Sequence, residues 1–190
     1  MVDTRYSLIM IKGRVDISHI TEQHLKNIVF TEKNYVSAAN GLWDELGVSK
    51  PKYCEDSAVV YQCFGKDCPD WAEDIRRSFD SIMQYSTVTV NKLTPGCFIP
   101  PHKDHFYKLR EATKSLDTKG LITLRINIML QDKKLGHVLD IEGQTLDQYQ
   151  AGDYVYIFPG IIHTAANLGW EDRYTMQVSG LVKPDDIDAS

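Results

Sequence analysis

The chain contains no apolar run approaching the length of a membrane span, so a helical membrane protein is not expected. Its N-terminus, Met1 to Ser7, has no basic region leading into a long apolar stretch, so no secretory leader is expected and the expected location is cytoplasmic. Cysteine is sparse: four residues, Cys54, Cys63, Cys68 and Cys97, none in a C-x-x-C pair. Cys63 and Cys68 could ligate zinc, but no second pair completes a four-ligand set, and free thiols in a reducing compartment are the simpler expectation. An excess of positive charge is also absent. The net charge of −5 argues against broad binding to nucleic acid or to an anionic membrane, although it leaves a local basic patch open. No internal repeat and no low-complexity tract is present.

Of the 190 residues, 43% are hydrophobic and 25% charged, which supports a packed core and argues against a disordered chain. The length suits a single domain, 1–190, with a mixed helical and extended support region over 1–85 and a β-rich core over 86–182. Short helices are expected at Glu22–Phe30 and Ala38–Leu46. A third begins near Asp70, read as an N-cap with Glu73 completing a capping box. Its stripe of Trp71, Ile75, Phe79, Ile82 and Met83 should pack on a sheet.

From Ser86 the period changes to two. Strands are expected at Thr87–Leu93, Leu121–Leu130, His137–Ile141, Thr145–Tyr149, Tyr154–Phe158, His163–Asn167 and Tyr174–Leu181. Glycines fall between them or at their ends. Many short strands punctuated in this way indicate an all-β sandwich or barrel. The polar stretch His105–Lys119 reads as a long loop, either a lid over a site or a solvated excursion.

The residues that carry chemistry sit in this second half. His102 and Asp104 form an H-x-D pair. In extended chain, positions i and i+2 project to one face, so both can reach one ion while Lys103 points away. Alone, that pair is weak evidence. His163, after the bend Phe158-Pro159-Gly160, supplies a second imidazole. Two histidines and one carboxylate, with coordination positions left open, suit a non-haem Fe(II) site that activates O2. His105 is a competing ligand, and His137 reads as structural.

Arg173 strengthens the case. If Asn167–Asp172 closes a hairpin, His163 and Arg173 face each other on paired strands, with Thr175 on the same side. Tyr174, Met176 and Val178 then occupy the packing face. An inward guanidinium is costly to bury without an anion, and either a bound dicarboxylate or a structural salt bridge would meet it. In Leu121–Leu130 the apolar face is Leu124, Ile126 and Ile128, with Arg125 and Asn127 opposite. Asn91 has the parity to add a polar group to the same interior, although a solvent-facing strand alternates in the same way.

Together these residues resemble the 2-oxoglutarate- and Fe(II)-dependent dioxygenases, nearest the branch of the aspartyl/asparaginyl β-hydroxylases and cis-proline hydroxylases. The resemblance covers roughly Thr87 to Gly180. It implies a double-stranded β-helix, a cupin-like jelly-roll barrel braced by N-terminal helices. It also implies iron held by His102, Asp104 and His163, and 2-oxoglutarate gripped at its distal carboxylate by Arg173 with Thr175. Arg125 would lie near the carboxylate beside the metal, with Asn127 and Asn91 contributing to the cofactor site. The implied reaction consumes O2, hydroxylates an unactivated C–H bond and releases succinate and CO2. An amino acid, free or within a peptide or protein, is the implied substrate. Asp104 favours the proline-hydroxylase side of the branch, and Asn127 stands where that branch often has histidine. A cupin-type metal-binding barrel without 2-oxoglutarate, a metal-free binding module, and an oxygenase of nucleobases or other small molecules are the rival expectations.

Overall fold

The computed structural model describes residues 11–35, 45, 47 and 54–188. Its strands form two antiparallel sheets. The larger has seven strands: β1 (Gly13–Arg14), β2 (Thr31–Asn34), β3 (Val59–Phe64), β4 (Gln84–Leu93), β6 (Ile122–Met129), β9 (Asp153–Ile157) and β11 (Arg173–Val182). The smaller has four: β5 (Phe98–His102), β7 (His137–Ile141), β8 (Gln144–Thr145) and β10 (His163–Asn167). Strand order is β1-β9-β6-β11-β4-β3-β2 in the first and β5-β10-β7-β8 in the second. Among the described residues the sheets remain open at their edges, so the architecture is mainly β and no closed barrel is seen. The early strands β1, β2 and β3 are built into the large sheet alongside the later ones.

Each central strand of the large sheet presents two different faces, as its period of two requires. One face carries Val88, Val90, Leu124, Ile126, Ile128, Met176 and Val178, all within one apolar cluster. The helix Asp70–Arg77 covers it through Ala72 and Ile75, joined by Phe79 and Met83 just beyond. That helix has Asp70 and Glu73 in its first turn and Arg76 and Arg77 in its last, an arrangement the helix dipole favours. The expected cap is not made: Pro69 is the N-cap, no side chain caps the helix, and Asp70 lies inside the first turn.

The other face carries a mixed set. Val60, Leu93, Met129, Val155 and Ile157 meet Ile99, Leu139, Ile141 and Ala165 of the small sheet in a second cluster. The sheets therefore pack face to face, and the polar inner-face residues of the large sheet are enclosed between them.

Several expected elements take other forms. The first helix ends at Lys26. Glu45 is helical, but the rest of Ala38–Leu46 is outside the described residues. The Thr145–Tyr149 strand shrinks to the two-residue β8. Tyr107–Thr113 is a helix rather than loop, because Leu109 buries with Phe106 and Leu181 in a small apolar cluster of its own. The hairpin between His163 and Arg173 does not form: β10 pairs with β5 and β7, and β11 with β4 and β6.

Asn167 explains the change of sheet. It is fully buried. Its side-chain amide donates to Leu93 O and Glu171 O, each at 2.8 Å, and its carbonyl oxygen accepts from Gly169 N at 3.1 Å. These bonds fasten the end of β10 to β4 and turn the chain into the start of β11. Gly136 and Gly169 let this connection press backbone to backbone against the β6–β7 connection, where any Cβ would collide.

Candidate metal centre

Strand β5 places His102 at its last position, directly across from His163 at the first position of β10. The two rings lie 4.3 Å apart between centroids. Asp104 follows β5 and turns its carboxylate to both, with Oδ1 3.8 Å from His102 Nε2 and Oδ2 3.6 Å from His163 Nε2. One donor atom from each of the three lies within 4.8 Å of the others, and among the described residues this is the one such cluster of metal-ligating side chains. His105 is not in it and is exposed. Lys103 points away, as expected, and bonds Glu45 at 2.8 Å.

The imidazoles are oriented for ligation. His102 Nδ1 lies 2.8 Å from Pro100 O and His163 Nδ1 3.1 Å from Ile161 O. A carbonyl accepts only from a protonated nitrogen, so each ring carries its proton on Nδ1 and turns the lone pair of Nε2 inward. Burial, and then the neighbouring His102, pushes His163 down to about 4; burial likewise lowers His102. Both rings are therefore neutral at pH 7 and free to ligate. Asp104 Oδ2, facing His163, is buried and has no hydrogen-bond partner. Two inward lone pairs and an orphaned carboxylate oxygen fit a divalent cation.

The remaining residues of the site descend from the large sheet. Asn91, Arg125, Asn127, Arg173 and Thr175 all line the cavity that His102 and His163 close from the small sheet. Arg125 is committed to the triad. Its Nη1 lies 2.5 Å from Asp104 Oδ1, its Nε donates to Ser179 Oγ at 3.1 Å, and it sits 5.0 Å above the Phe106 ring. Phe106 holds φ at 51°, a left-handed conformation costly for a bulky residue by about 1–3 kcal/mol. That turn reverses the chain after Asp104 and sets the Phe106 ring under Arg125.

Arg173 differs. It is almost wholly buried, at 3% exposure. It donates one hydrogen bond to the Tyr149 hydroxyl oxygen, while Nε and Nη2 have no partner. No described carboxylate pairs with it, so the structural salt bridge is absent. Burial pulls its pKa below the ordinary arginine value, yet a guanidinium stays charged. The cavity thus holds one carboxylate against two guanidiniums and is net positive even before a metal enters.

Sequence reading missed several neighbours. Tyr35 stands edge-on to His102 at 5.9 Å between centroids. Gln62 donates to Tyr35 OH at 3.1 Å and to Asn91 Oδ1 at 2.6 Å, leaving Asn91 Nδ2 unpartnered. Gln177 extends the inner row of β11 into the cavity. The parity of β11 could have revealed Gln177; nothing local could have revealed Tyr35 or Gln62.

No family model matches the chain, and no curated protein matches it. Among solved structures it is similar to a Pseudomonas putida prolyl-4-hydroxylase, at 13% identity over 85% of this chain and 96% of that one, with a TM-score of 0.44. It is also similar to a cupin 2 conserved barrel domain protein from Salinispora arenicola, at 14% identity over 68% of this chain and 81% of that one, with a TM-score of 0.38. These levels leave its family open.

Proposed function

We propose that this protein is an Fe(II)- and 2-oxoglutarate-dependent oxygenase that hydroxylates a C–H bond of an amino acid or amino-acid residue. The observation that carries the reading is Arg173, a buried cation with two unpartnered N–H donors in the same cavity as the two histidines of the triad. A metal adds further positive charge to an already positive cavity, so a stable complex calls for an anionic co-ligand. A diacid that reaches both the metal and Arg173 supplies that charge at both ends. The two facing sheets are compatible with the double-stranded β-helix such enzymes use.

Within this reading His102, Asp104 and His163 hold the metal, which when loaded with co-substrate and O2 supplies the oxidising chemistry. The protein's own part is orientation. Pro100 O and Ile161 O fix the imidazole tautomers, and Arg125 holds one carboxylate oxygen of Asp104 so that the other faces the metal. Arg173, Tyr149 and Thr175 receive the distal carboxylate, and Asn91 Nδ2 offers a further donor.

The cavity has an enclosed volume of about 30 Å³, room for an ion with one or two waters. A five-carbon diacid enters only if the lining side chains move. The rival reading, a metal centre with water alone as co-ligand, needs no such movement. Anaerobic titration separates them. 2-Oxoglutarate added to the Fe(II)-loaded protein should produce the visible charge-transfer band of a chelated 2-oxo acid, and Arg173→Met should weaken its binding at least tenfold. A metal-loaded protein that shows no band at saturating 2-oxoglutarate overturns the proposal in favour of the rival. O2-dependent succinate release across a panel of amino acids and peptides then tests the substrate.

A further inference from the structure

A second hollow of about 270 Å³ lies against the metal cavity, and the two share Tyr35, Arg125 and Gln177 in their lining. The inner face of the large sheet continues beneath it with Gln62, Thr87, Thr89 and Ser179, and Phe106 with the helix Tyr107–Thr113 stands over it. A further hollow of about 480 Å³ continues from this one through Lys33, Gln62, Phe64 and Lys108. The three hollows adjoin in series along one groove, with the metal cavity at its inner end.

The charge of this groove is opposite to that of the protein. The chain carries −5 overall. Yet Lys33 of β2 and Lys108 of the covering helix both line the two outer hollows, where Asp67 is the only carboxylate side chain among the described residues. Lys108 Nζ lies 3.5 Å from the centroid of the Phe64 ring. Burial, and then the charge of Lys33, lowers the Lys108 pKa, as expected for two ammoniums brought together. Among the described residues neither lysine is in an ion pair; the paired lysines are elsewhere. A cleft lined by one sign of charge between low-dielectric walls concentrates ions of the other sign.

We propose that this groove is the substrate site of the metal centre, and that the amino-acid or peptide substrate carries an anionic group, a phosphate or a carboxylate, held between Lys33 and Lys108. Its body lies along the Phe64 and Tyr35 side of the groove, and its reacting end passes Arg125 to the triad. The link to catalysis rests on the oxygenase reading above; the anion site stands on the groove itself.

The test uses the full chain, labelled with 15N, and two probes, inorganic phosphate and acetate, titrated separately. At least one probe should shift the amides of Lys33, Phe64, Thr89 and Lys108, and the double variant K33Q/K108Q should lower its affinity at least tenfold. A response to phosphate alone assigns a phosphate ester, and a response to acetate a carboxylate. No shift at these amides, or an unchanged affinity in K33Q/K108Q, overturns the proposal. Fe(II) and 2-oxoglutarate binding, followed in the same samples by the charge-transfer band, keeps the two readings apart. A band without a groove response removes the anion site alone. A groove response without a band keeps the anion site and overturns its role as the substrate site of an oxygenase.

Discussion

The two faces of the seven-stranded sheet are built from the same strands and serve opposite ends. On β11, Tyr174, Met176 and Val178 enter the apolar core beneath the helix Asp70–Arg77, while Arg173, Thr175 and Gln177 enter the cavity. On β6, Leu124, Ile126 and Ile128 are wholly buried on the first face, and Arg125 and Asn127 line the second. One face lowers the free energy of the fold. The other holds a buried guanidinium and an unpartnered amide, and it faces an orphaned carboxylate oxygen that follows β5 of the small sheet, each of which raises it. Groups left uncompensated in this way are expected where a ligand completes them, which is why the proposed function is placed on the costly face.

Substitutions on the two faces should therefore differ in size and in sign. The largest effect belongs to the packing face: Met176→Ala, at a fully buried position, should cost about 2–5 kcal/mol in urea unfolding. A loss below about 1 kcal/mol would mean that this face is not the core described. Next is the metal. His163→Ala should weaken Fe(II) or Co(II) binding by more than the roughly 10–100-fold that loss of an outer hydrogen-bond partner costs, read by direct titration. Unchanged affinity would remove the triad.

Arg173→Met reverses the sign. It removes a buried charge that has no carboxylate partner, so the metal-free fold should gain about 1–4 kcal/mol while losing 2-oxoglutarate binding. A destabilised Arg173→Met protein would show that the hydrogen bond to Tyr149 outweighs the cost of burying the charge.

A smaller effect is spread over pH. Burial lowers His102 and His137, and His163 falls to about 4 from an ordinary 6.5. Between those values the unfolded chain binds protons that the folded one refuses. The stability these neutral rings contribute is full above pH 6.5 and is lost as pH falls, by at most about 1.4 kcal/mol per ring per pH unit. The metal-free protein should show this slope in denaturant midpoints between pH 6.5 and 4, and saturating Zn(II) should raise stability most at the upper end. A flat profile would mean that the rings are not buried. The smallest effect is Asp70→Ala. Its side chain makes no cap, so the change should stay within about 0.5 kcal/mol by thermal melting; a loss near 1 kcal/mol would restore the capping box.

Parity made much of this legible in advance. A strand's two-residue period is local, so that Arg173 shares a row with Thr175, and Arg125 with Asn127, could be read from the chain alone; that both rows face inward could not, since the hairpin that pointed Arg173 inward does not form. The H-x-D spacing likewise brought His102 and Asp104 to one side. The partner of His163 could not be read this way. The connection Leu168–Asp172 is short enough to close a hairpin, yet Asn167 binds Leu93 across 74 positions and sends β11 into the other sheet. His163 and Arg173 still share a cavity, but they face it from opposite walls. The helix Tyr107–Thr113 escaped notice for a similar reason: its buried residues are few, and what covers them is Leu181, far along the chain.

Residue spacing by itself determined the candidate ligand types and which residues share each strand face, because both follow from backbone period and side-chain chemistry within a few positions. Only the tertiary structure decided that the triad spans a strand pair of the small sheet, that Arg125 clasps Asp104 while Arg173 has no carboxylate partner among the described residues, and that Lys33 and Lys108 line the same hollows. Those outcomes depend on which distant strands pair and how the two sheets face each other, and that choice is made by the free energy of the whole packed interior rather than by any local segment.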